Sequence, residues 1–170
     1  YLDDILTPKI GDFGLSTKYD LSENITVQSI SGVKVASRYS APEVLLNNEY
    51  SKSSDVYSFG LIAYEILCNE VPFNQIEKNN KIYKEVVLNQ SLQKIKENLP
   101  KSYRKFIESL WSQSPNERPT FNEIVYQMKT DNGFITDSIN ANDYFKYIKF
   151  IDDQFEPITD QKINEHKEEN

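Results

Sequence analysis

Cysteine and histidine are almost absent from this sequence of 170 residues, which contains one of each, Cys68 and His166. A disulfide, a zinc cluster, and a Cys/His or Ser/His nucleophile pair all need more of these side chains than the chain supplies. These sites are therefore excluded within the chain. We expect Cys68 to be a small core residue and His166 to lie in a solvated tail.

Long apolar runs and concentrated positive charge are also missing. No apolar run reaches the ~20 residues of a bilayer span, and no charged-then-apolar leader opens the chain. The net charge is −7, and residues 152–170 hold seven acidic side chains against two lysines. Without a basic stripe we expect no nucleic-acid partner. We also expect no membrane span in this segment. The expected location is the cytoplasm, or the cytosolic side of a membrane if the parent protein has an anchor upstream.

Methionine is scarce too, since the chain begins with Tyr1 and its one methionine is Met128. We interpret the sequence as part of a longer parent protein. What the chain does contain is core-forming material, with 38% hydrophobic and 12% aromatic residues. This composition is typical of a globular domain rather than a disordered segment.

Helical periodicity dominates the middle of the chain. Pro42 suits the first turn of a short helix over residues 43–46, and the run 56–67 is apolar nearly all round, as in a helix buried on every side. Thr120 and Glu123 have the spacing of a capping box before a further helix. Apolar side chains recur at helical spacing in three more places: Ile82, Tyr83, Val86 and Val87; Tyr103, Phe106, Ile107, Leu110 and Trp111; and Phe121, Ile124, Val125 and Met128.

These patterns predict a mainly α fold with short β segments near the N-terminus. Residues 2–10 favour extended structure around a Thr-Pro pair, and residues 15–40 read as one long loop, a length that usually has a function. We place the main domain at 1–132 and a C-terminal extension at 133–151, in which residues 141–151 favour one or two amphipathic helical turns. An acidic, disordered tail over 152–170 completes the prediction.

Four short strings follow one another in a fixed order: Lys9-Ile10-Gly11-Asp12-Phe13-Gly14-Leu15, then Ala41-Pro42-Glu43, then Asp55-Val56-Tyr57-Ser58-Phe59-Gly60, then Asn116-Glu117-Arg118-Pro119-Thr120-Phe121. In this order and spacing they resemble the eukaryotic protein kinase family. The first three are similar to its DFG motif, its APE motif and its D-V-W-S-F-G helix, with Tyr57 in place of Trp. The resemblance covers about residues 1–130 and implies the C-terminal lobe of a kinase, from the DFG motif onward.

The resemblance assigns the chemistry to one residue, Asp12, as a Mg²⁺ ligand. Phosphoryl transfer needs metal ions that bridge the phosphate oxygens, and a carboxylate is the hard oxygen ligand that Mg²⁺ prefers. Asp12, Phe13 and Gly14 would together contact the cofactors, ATP and Mg²⁺. Phe13 would pack into the core and orient the aspartate, and Gly14 would allow the sharp turn of the backbone.

Residues 15–40 correspond to the activation and substrate-docking loop. The segment Ala36-Ser37-Arg38-Tyr39-Ser40 would face the protein substrate, and its basic and aromatic pair resembles the tyrosine-kinase-like group. Val35 and Ala36 stand where Ser/Thr kinases carry Gly-Thr, so a threonine that would contact the catalytic aspartate is missing. A phosphate on one of the loop hydroxyls would order the loop by pairing with a basic residue.

Three further residues have structural roles by resemblance. Glu43 and Arg118 would form a buried bidentate ion pair that holds the substrate-docking segment on the helical core. Asp55 would accept hydrogen bonds from the backbone of the catalytic loop, or would cap its own helix.

The sequence contains no Gly-rich loop, no strand lysine and no H-R-D catalytic loop, all of which a working kinase needs. We therefore expect no catalytic residue in this chain, and an isolated chain that is inactive. Its partners would be a protein substrate and the N-lobe and catalytic loop of the same parent, an ATP-dependent protein kinase. The alternative is a pseudokinase or a protein-binding helical lobe without catalysis, which Ala36 favours.

Overall fold

The structure is a computed structural model that describes residues 1, 8–11, 13, 27–28, 38–76, 81–82, 84–89 and 93–154. It is mostly helical, so the predicted fold class is confirmed. Two compact units divide the chain, Tyr1–Ile124 and Val125–Asn170. The described α-helices are α1 (Pro42–Asn47), α2 (Lys52–Cys68), α3 (Lys101–Leu110), α4 (Phe121–Thr130) and α5 (Ala141–Gln154). Shorter turns are the π-helix Lys84–Leu88 and the 3-10 helices Pro115–Glu117 and Asn132–Phe134.

The described strands form one short antiparallel ladder. Strand β1 (Val27–Gln28) pairs with β2 (Glu49–Tyr50), and Val27 lies opposite Tyr50. Nearer the N-terminus, Lys9 N donates to Tyr1 O at 2.8 Å and Tyr1 N donates to Lys9 O at 3.0 Å. Most of the predicted extended segment 2–10 lies outside the described residues.

Helix α2 begins four residues earlier than its apolar run suggested. Ser51 is the N-cap: its Oγ accepts from Ser54 N at 3.2 Å, and Ser54 Oγ accepts from Ser51 N at 2.9 Å. This reciprocal pair satisfies two backbone donors that a helix start leaves without partners. Asp55 lies inside the first turn. The interpretation of Asp55 as the helix cap is therefore wrong, because Ser51 already fills that position.

The core of the first unit forms where α2 packs against α3. The two helices approach so closely at Gly60 that a Cβ there would lie 2.8 Å from Leu110 Cβ. The largest side chains buried in this unit are Trp111, Tyr57, Tyr64, Leu61, Ile82, Ile107, Leu110 and Ile124. Cys68 is buried and unpaired by any disulfide, as expected for a small core residue.

The expectation that α2 is buried on every side is wrong for the described part of the chain. Ile62 and Ile66 remain 46% and 74% exposed on this helix. Asp55, Phe59, Ile62 and Ile66 follow one another at helical spacing of four, three and four residues, so they share one face. We refer to these four residues as the open face of α2.

Helix α4 begins with the predicted capping box. Glu123 N donates to Thr120 Oγ1 at 3.2 Å, and Thr120 N donates to Glu123 Oε2 at 2.7 Å. Thr120 Oγ1 also donates to Glu123 Oε2 at 2.9 Å. The two bonds that this carboxylate accepts, from the backbone N and the hydroxyl of Thr120, lower the pKa of the Glu123 carboxyl. The apolar stripe of this helix is buried only at Ile124, whereas Phe121, Val125 and Met128 are exposed. Within the described residues, most of this stripe therefore faces solvent.

In the second unit, α5 lies over the residues 141–151 for which helical turns were predicted, and it extends to Gln154. Tyr144 Oη donates to the carbonyl oxygen of Met128, and Lys129 pairs with Asp152, so α5 is fixed to the end of α4. Phe134 is buried in the turn before it. The domain boundary at 132 stays a prediction, and so does the disordered state of 152–170, most of which lies outside the described residues.

Candidate substrate-docking and metal-binding site

Arg38 opens the described part of the predicted substrate-docking segment and binds three backbone carbonyls. Its Nη1 donates to Pro72 O at 2.5 Å and to Phe73 O at 2.7 Å, and its Nη2 donates to Ile76 O at 3.0 Å. Residues 72–76 form the turn that follows α2. The guanidinium therefore ties the segment to this turn through charge-assisted hydrogen bonds.

Tyr39 and Ser58 make the next connection between the segment and α2. Tyr39 Oη donates to Glu65 Oε2 at 2.6 Å, and Ser58 Oγ donates to the carbonyl oxygen of Tyr39 at 2.7 Å. Burial and the bond to the Glu65 carboxylate raise the pKa of Tyr39 to about 12. The phenol thus stays protonated, and remains a donor, at any physiological pH.

Glu43 and Arg118 come together as a bidentate pair. Arg118 Nη1 lies 2.6 Å from Glu43 Oε1, and Arg118 Nη2 lies 2.9 Å from Glu43 Oε2. The same guanidinium donates to Ser53 O at 2.9 Å and, through Nε, to Ser112 O at 2.8 Å. The Arg118 side chain is fully buried and that of Glu43 is 11% exposed. One arginine therefore joins α1, the start of α2 and the loop after α3.

Tyr57, which stands where the kinase motif has Trp, lies beneath this pair. The Arg118 guanidinium carbon is 4.9 Å from the centre of the Tyr57 ring. The ring is almost completely buried, and this burial raises the pKa of its hydroxyl. The aromatic face supplies a second, cation–π contact to the buried charge.

Asp55 lies on the opposite side of the same helix, on the open face. A cavity of about 450 Å³ at the start of the helix is lined by residues 52–53, Asp55, Val56 and residues 118–122. Phe59 meets Phe121 edge to face, with ring centres 5.8 Å apart. Although the Asp55 carboxyl is exposed, partial desolvation raises its pKa.

Most of the remaining predicted site residues lie outside the part of the chain that the structure describes. Asp12, Gly14, Ala36 and Ser37 lie outside the described residues, so the metal-ligand prediction rests on the motif. Within the described part of the chain, no group of three or more His, Cys, Asp or Glu side chains has the geometry of a metal site. Phe13 is 66% exposed, so the expectation that it packs into the core is wrong for this chain. The sequence contains none of the N-lobe segments against which a kinase would cover the ring.

Sequence reasoning missed the partners of Arg38 and Tyr39. A signal for one of them was present, because Ser58 and Glu65 are the two polar interruptions of the apolar run 56–67. They lie seven residues apart and hence on one helix face, which is the face that receives Tyr39. The carbonyls of residues 72–76 left no signal, because any residue type presents a carbonyl oxygen.

The fold and this arrangement define the C-terminal lobe of a protein kinase, and comparison with known proteins agrees. Residues 2–128 match the family described as the protein kinase domain, so the chain belongs to that family. It is 35% identical over 157 residues, 89% of the chain, to the dual specificity protein kinase shkE of Dictyostelium discoideum. It is also 35% identical over 137 residues, 75% of the chain, to the Raf homolog serine/threonine-protein kinase of Caenorhabditis elegans.

The chain covers 21% of the first of these relatives and 16% of the second, so it corresponds to a small part of each. A third relative, mitogen-activated protein kinase kinase kinase 10 of Xenopus laevis, is 35% identical over 73% of the chain, which spans 12% of that protein. None of the helices in the described ranges is both long and apolar enough to cross a bilayer.

Proposed function

We propose that this chain is the C-terminal lobe of a parent kinase of the tyrosine-kinase-like group, which transfers the γ-phosphate of ATP to hydroxyl groups of proteins. The observation that carries the proposal is the double anchoring of segment 38–43. Arg38 and Tyr39 bind the far end of α2 and its turn, and Glu43 binds Arg118. Phosphoryl transfer relies on positioning and on charge stabilisation, so a firmly held substrate-docking segment suits this reaction.

Asp12 is the residue of this chain that would hold Mg²⁺ in the parent. The fit is one of donor chemistry, since a carboxylate supplies the hard oxygen that Mg²⁺ takes. Bound ATP would supply the phosphoryl group, and bound Mg²⁺ would neutralise the negative charge of the phosphates. The other residues of this chain would position the protein substrate, and Gly14 would let the backbone turn beside Asp12.

The open face of α2 supports the further proposal that the catalytic loop and N-lobe of the parent pack here. A stripe that combines exposed isoleucines with a partly desolvated carboxylate is suited to being covered. Backbone N–H groups of the catalytic loop would donate to Asp55. The isolated chain would then neither bind ATP tightly nor transfer phosphate. A cytosolic location and a protein substrate complete the proposal.

A pseudokinase is the second candidate, and one residue favours it. Ala36 stands where a Ser/Thr kinase has the threonine that contacts the catalytic aspartate. A parent that keeps the lobe as a binding surface would need segment 38–43 but not Asp12.

The decisive experiment measures phosphate transfer from labelled ATP by the intact parent and by its Asp12→Asn variant. We expect the variant to lose activity about 100-fold or more, because a metal ligand stabilises charge in the transition state. The control is Asp143→Asn, at an exposed position in α5. Equal activity of Asp12→Asn and wild type would contradict the proposed role. A wild-type parent with neither transfer nor Mg²⁺-dependent ATP binding would favour the pseudokinase.

A further inference from the structure

The turn that receives Arg38 has a strained backbone. Phe73 has a φ of 52°, in the left-handed region that side chains with a Cβ disfavour. A residue persists in this conformation only where its surroundings hold it there. The Phe73 side chain is buried, so the ring itself contributes to that restraint.

Two side chains hold the peptide groups of Phe73 from opposite directions. Gln93 Oε1 accepts from Phe73 N at 2.6 Å, while Arg38 Nη1 donates to Phe73 O at 2.7 Å. Gln93 is itself fixed, because its Nε2 donates to the hydroxyl of Tyr64 at 3.0 Å, and Tyr64 is a buried residue of α2. The turn thus has one anchor in the helical core and another in the substrate-docking segment.

The chemistry of arginine matters here, because one planar guanidinium reaches three carbonyl oxygens with two of its nitrogens. Lysine, as a single point of positive charge, cannot spread its donors in this way. The contact is also independent of the Glu43–Arg118 pair, which fixes the other end of the segment. Loss of Arg38 would therefore free residues 38–41 from the turn 72–76, while Tyr39 keeps its bonds to Glu65 and Ser58 and α1 stays in place.

We propose that Arg38 is a positioning residue for the protein substrate. By binding the turn 72–76 it sets the place of segment 38–41 on α2, and with it the place at which the substrate chain is held. This inference rests on the proposed kinase function and names one determinant of its substrate binding. Arg38 acts through backbone carbonyls and not on the reacting atoms.

The kinetic experiment compares Arg38→Gln and Arg38→Lys with wild type in the intact parent. For Arg38→Gln we expect the KM for a peptide substrate to rise about tenfold, with kcat and the KM for ATP changed less than about twofold. Arg38→Lys should lie between that variant and wild type. Gln93→Met should give the same rise in the KM for the peptide. The free-energy cost of the double variant, Arg38→Gln with Gln93→Met, should be smaller than the sum of the two single costs, because both residues hold Phe73. Lys105→Gln, an exposed charge on α3, is the control.

A measurement that needs no activity accompanies it, namely amide hydrogen exchange of the chain itself. The Ile76 amide donates to Phe73 O at 2.9 Å inside the turn, so it reports on the anchor. In Arg38→Gln we expect the amides of Phe73 and Ile76 to exchange about tenfold faster, while those of α3 keep their rates.

Unchanged exchange of these two amides would overturn the anchoring of the turn by Arg38. A fall in kcat with an unchanged peptide KM would overturn the substrate role alone. A wild-type parent without phosphoryl transfer would overturn the kinase function and the substrate role together, while exchange would still decide the anchoring.

Discussion

The two faces of helix α2 differ in how completely this chain satisfies them. On one face, Ser58 and Glu65 bind Tyr39. At the start of the helix, the backbone oxygen of Ser53 accepts from Arg118. On the other face, Asp55 has a raised pKa and Ile62 and Ile66 face solvent. Segment 38–43, the predicted substrate-docking segment, thus finds hydrogen-bond partners for Arg38, Tyr39 and Glu43 within this chain. The open face has the character of a surface that the rest of a kinase domain would cover.

The largest expected effect comes from the Glu43–Arg118 pair, which joins α1 to the start of α2. Glu43→Gln or Arg118→Gln alone should lower the free energy of unfolding by about 3–5 kcal/mol, because each leaves a buried charge without its partner. The double variant should cost less than the sum of the two. Urea unfolding followed by circular dichroism gives all four values.

Because the single variants can fall below the stability needed to fold, Arg118→Lys is the accompanying variant. Lysine keeps the charge but not the bidentate geometry, so we expect a smaller loss than with Gln. Additive losses in the Gln cycle would mean that the two charges do not stabilise one another. Arg118 would then join these elements through its bonds to the backbone oxygens of Ser53 and Ser112 alone.

Ile62 and Ile66 test the open face directly. In the isolated chain, Ile62→Ser and Ile66→Ser should each change stability by no more than about 0.5 kcal/mol, as is usual for exposed positions. In the intact parent each should cost about 2–4 kcal/mol if the kinase domain buries the side chain there. Thermal unfolding of both forms provides the comparison. Equal, small effects in both would show that this face stays open in the parent, against the proposal.

How far the sequence predicted these two faces depends on where the interacting residues lie. The Glu43–Arg118 pair was predictable because both residues belong to family motifs. The open face was not, because an apolar run predicts a buried helix but not which partner buries it. The cap at Ser51 was missed for a local reason: Lys52, Ser53 and Ser54 interrupt the apolar pattern, although serine is a strong cap. The Arg38 contact was out of reach because its acceptors are backbone atoms.

Gly60 lies on the buried side of α2 and should give an intermediate effect. Gly60→Ala should lower stability by about 1–3 kcal/mol, since the new methyl group would lie 2.8 Å from Leu110 Cβ and force the helices apart. The higher helix propensity of alanine, worth about 1 kcal/mol, opposes this loss. Unfolding in urea measures the net value.

The matched variant for this contact is Leu110→Ala. If Gly60 is needed for the close approach of α2 and α3, adding Gly60→Ala to Leu110→Ala should cost less than adding it to wild type, because the smaller side chain can shift away. A gain in stability from Gly60→Ala alone would mean that helix propensity outweighs packing at this position.

The smallest effect, and the one whose sign depends on context, belongs to Asp55. Desolvation raises the pKa of the Asp55 carboxyl above its ordinary value of 3.8, so the folded chain binds this proton more tightly than the unfolded chain does. The contribution of the neutral acid to the free energy of unfolding is therefore lost as the pH rises through the folded-state pKa. At pH 7, Asp55→Asn should therefore stabilise the isolated chain, by no more than about 0.5 kcal/mol. The gain should vanish below pH 3.8, where the wild-type carboxyl is neutral in both states. Glu108→Gln, at an exposed position of α3, is the control.

In the parent the same Asp55 variant should lower kinase activity, because a neutral amide is a poorer acceptor for the catalytic-loop amides than a carboxylate. A stabilised chain with an unimpaired parent would remove Asp55 from the covered surface and confine the proposal to the isoleucines.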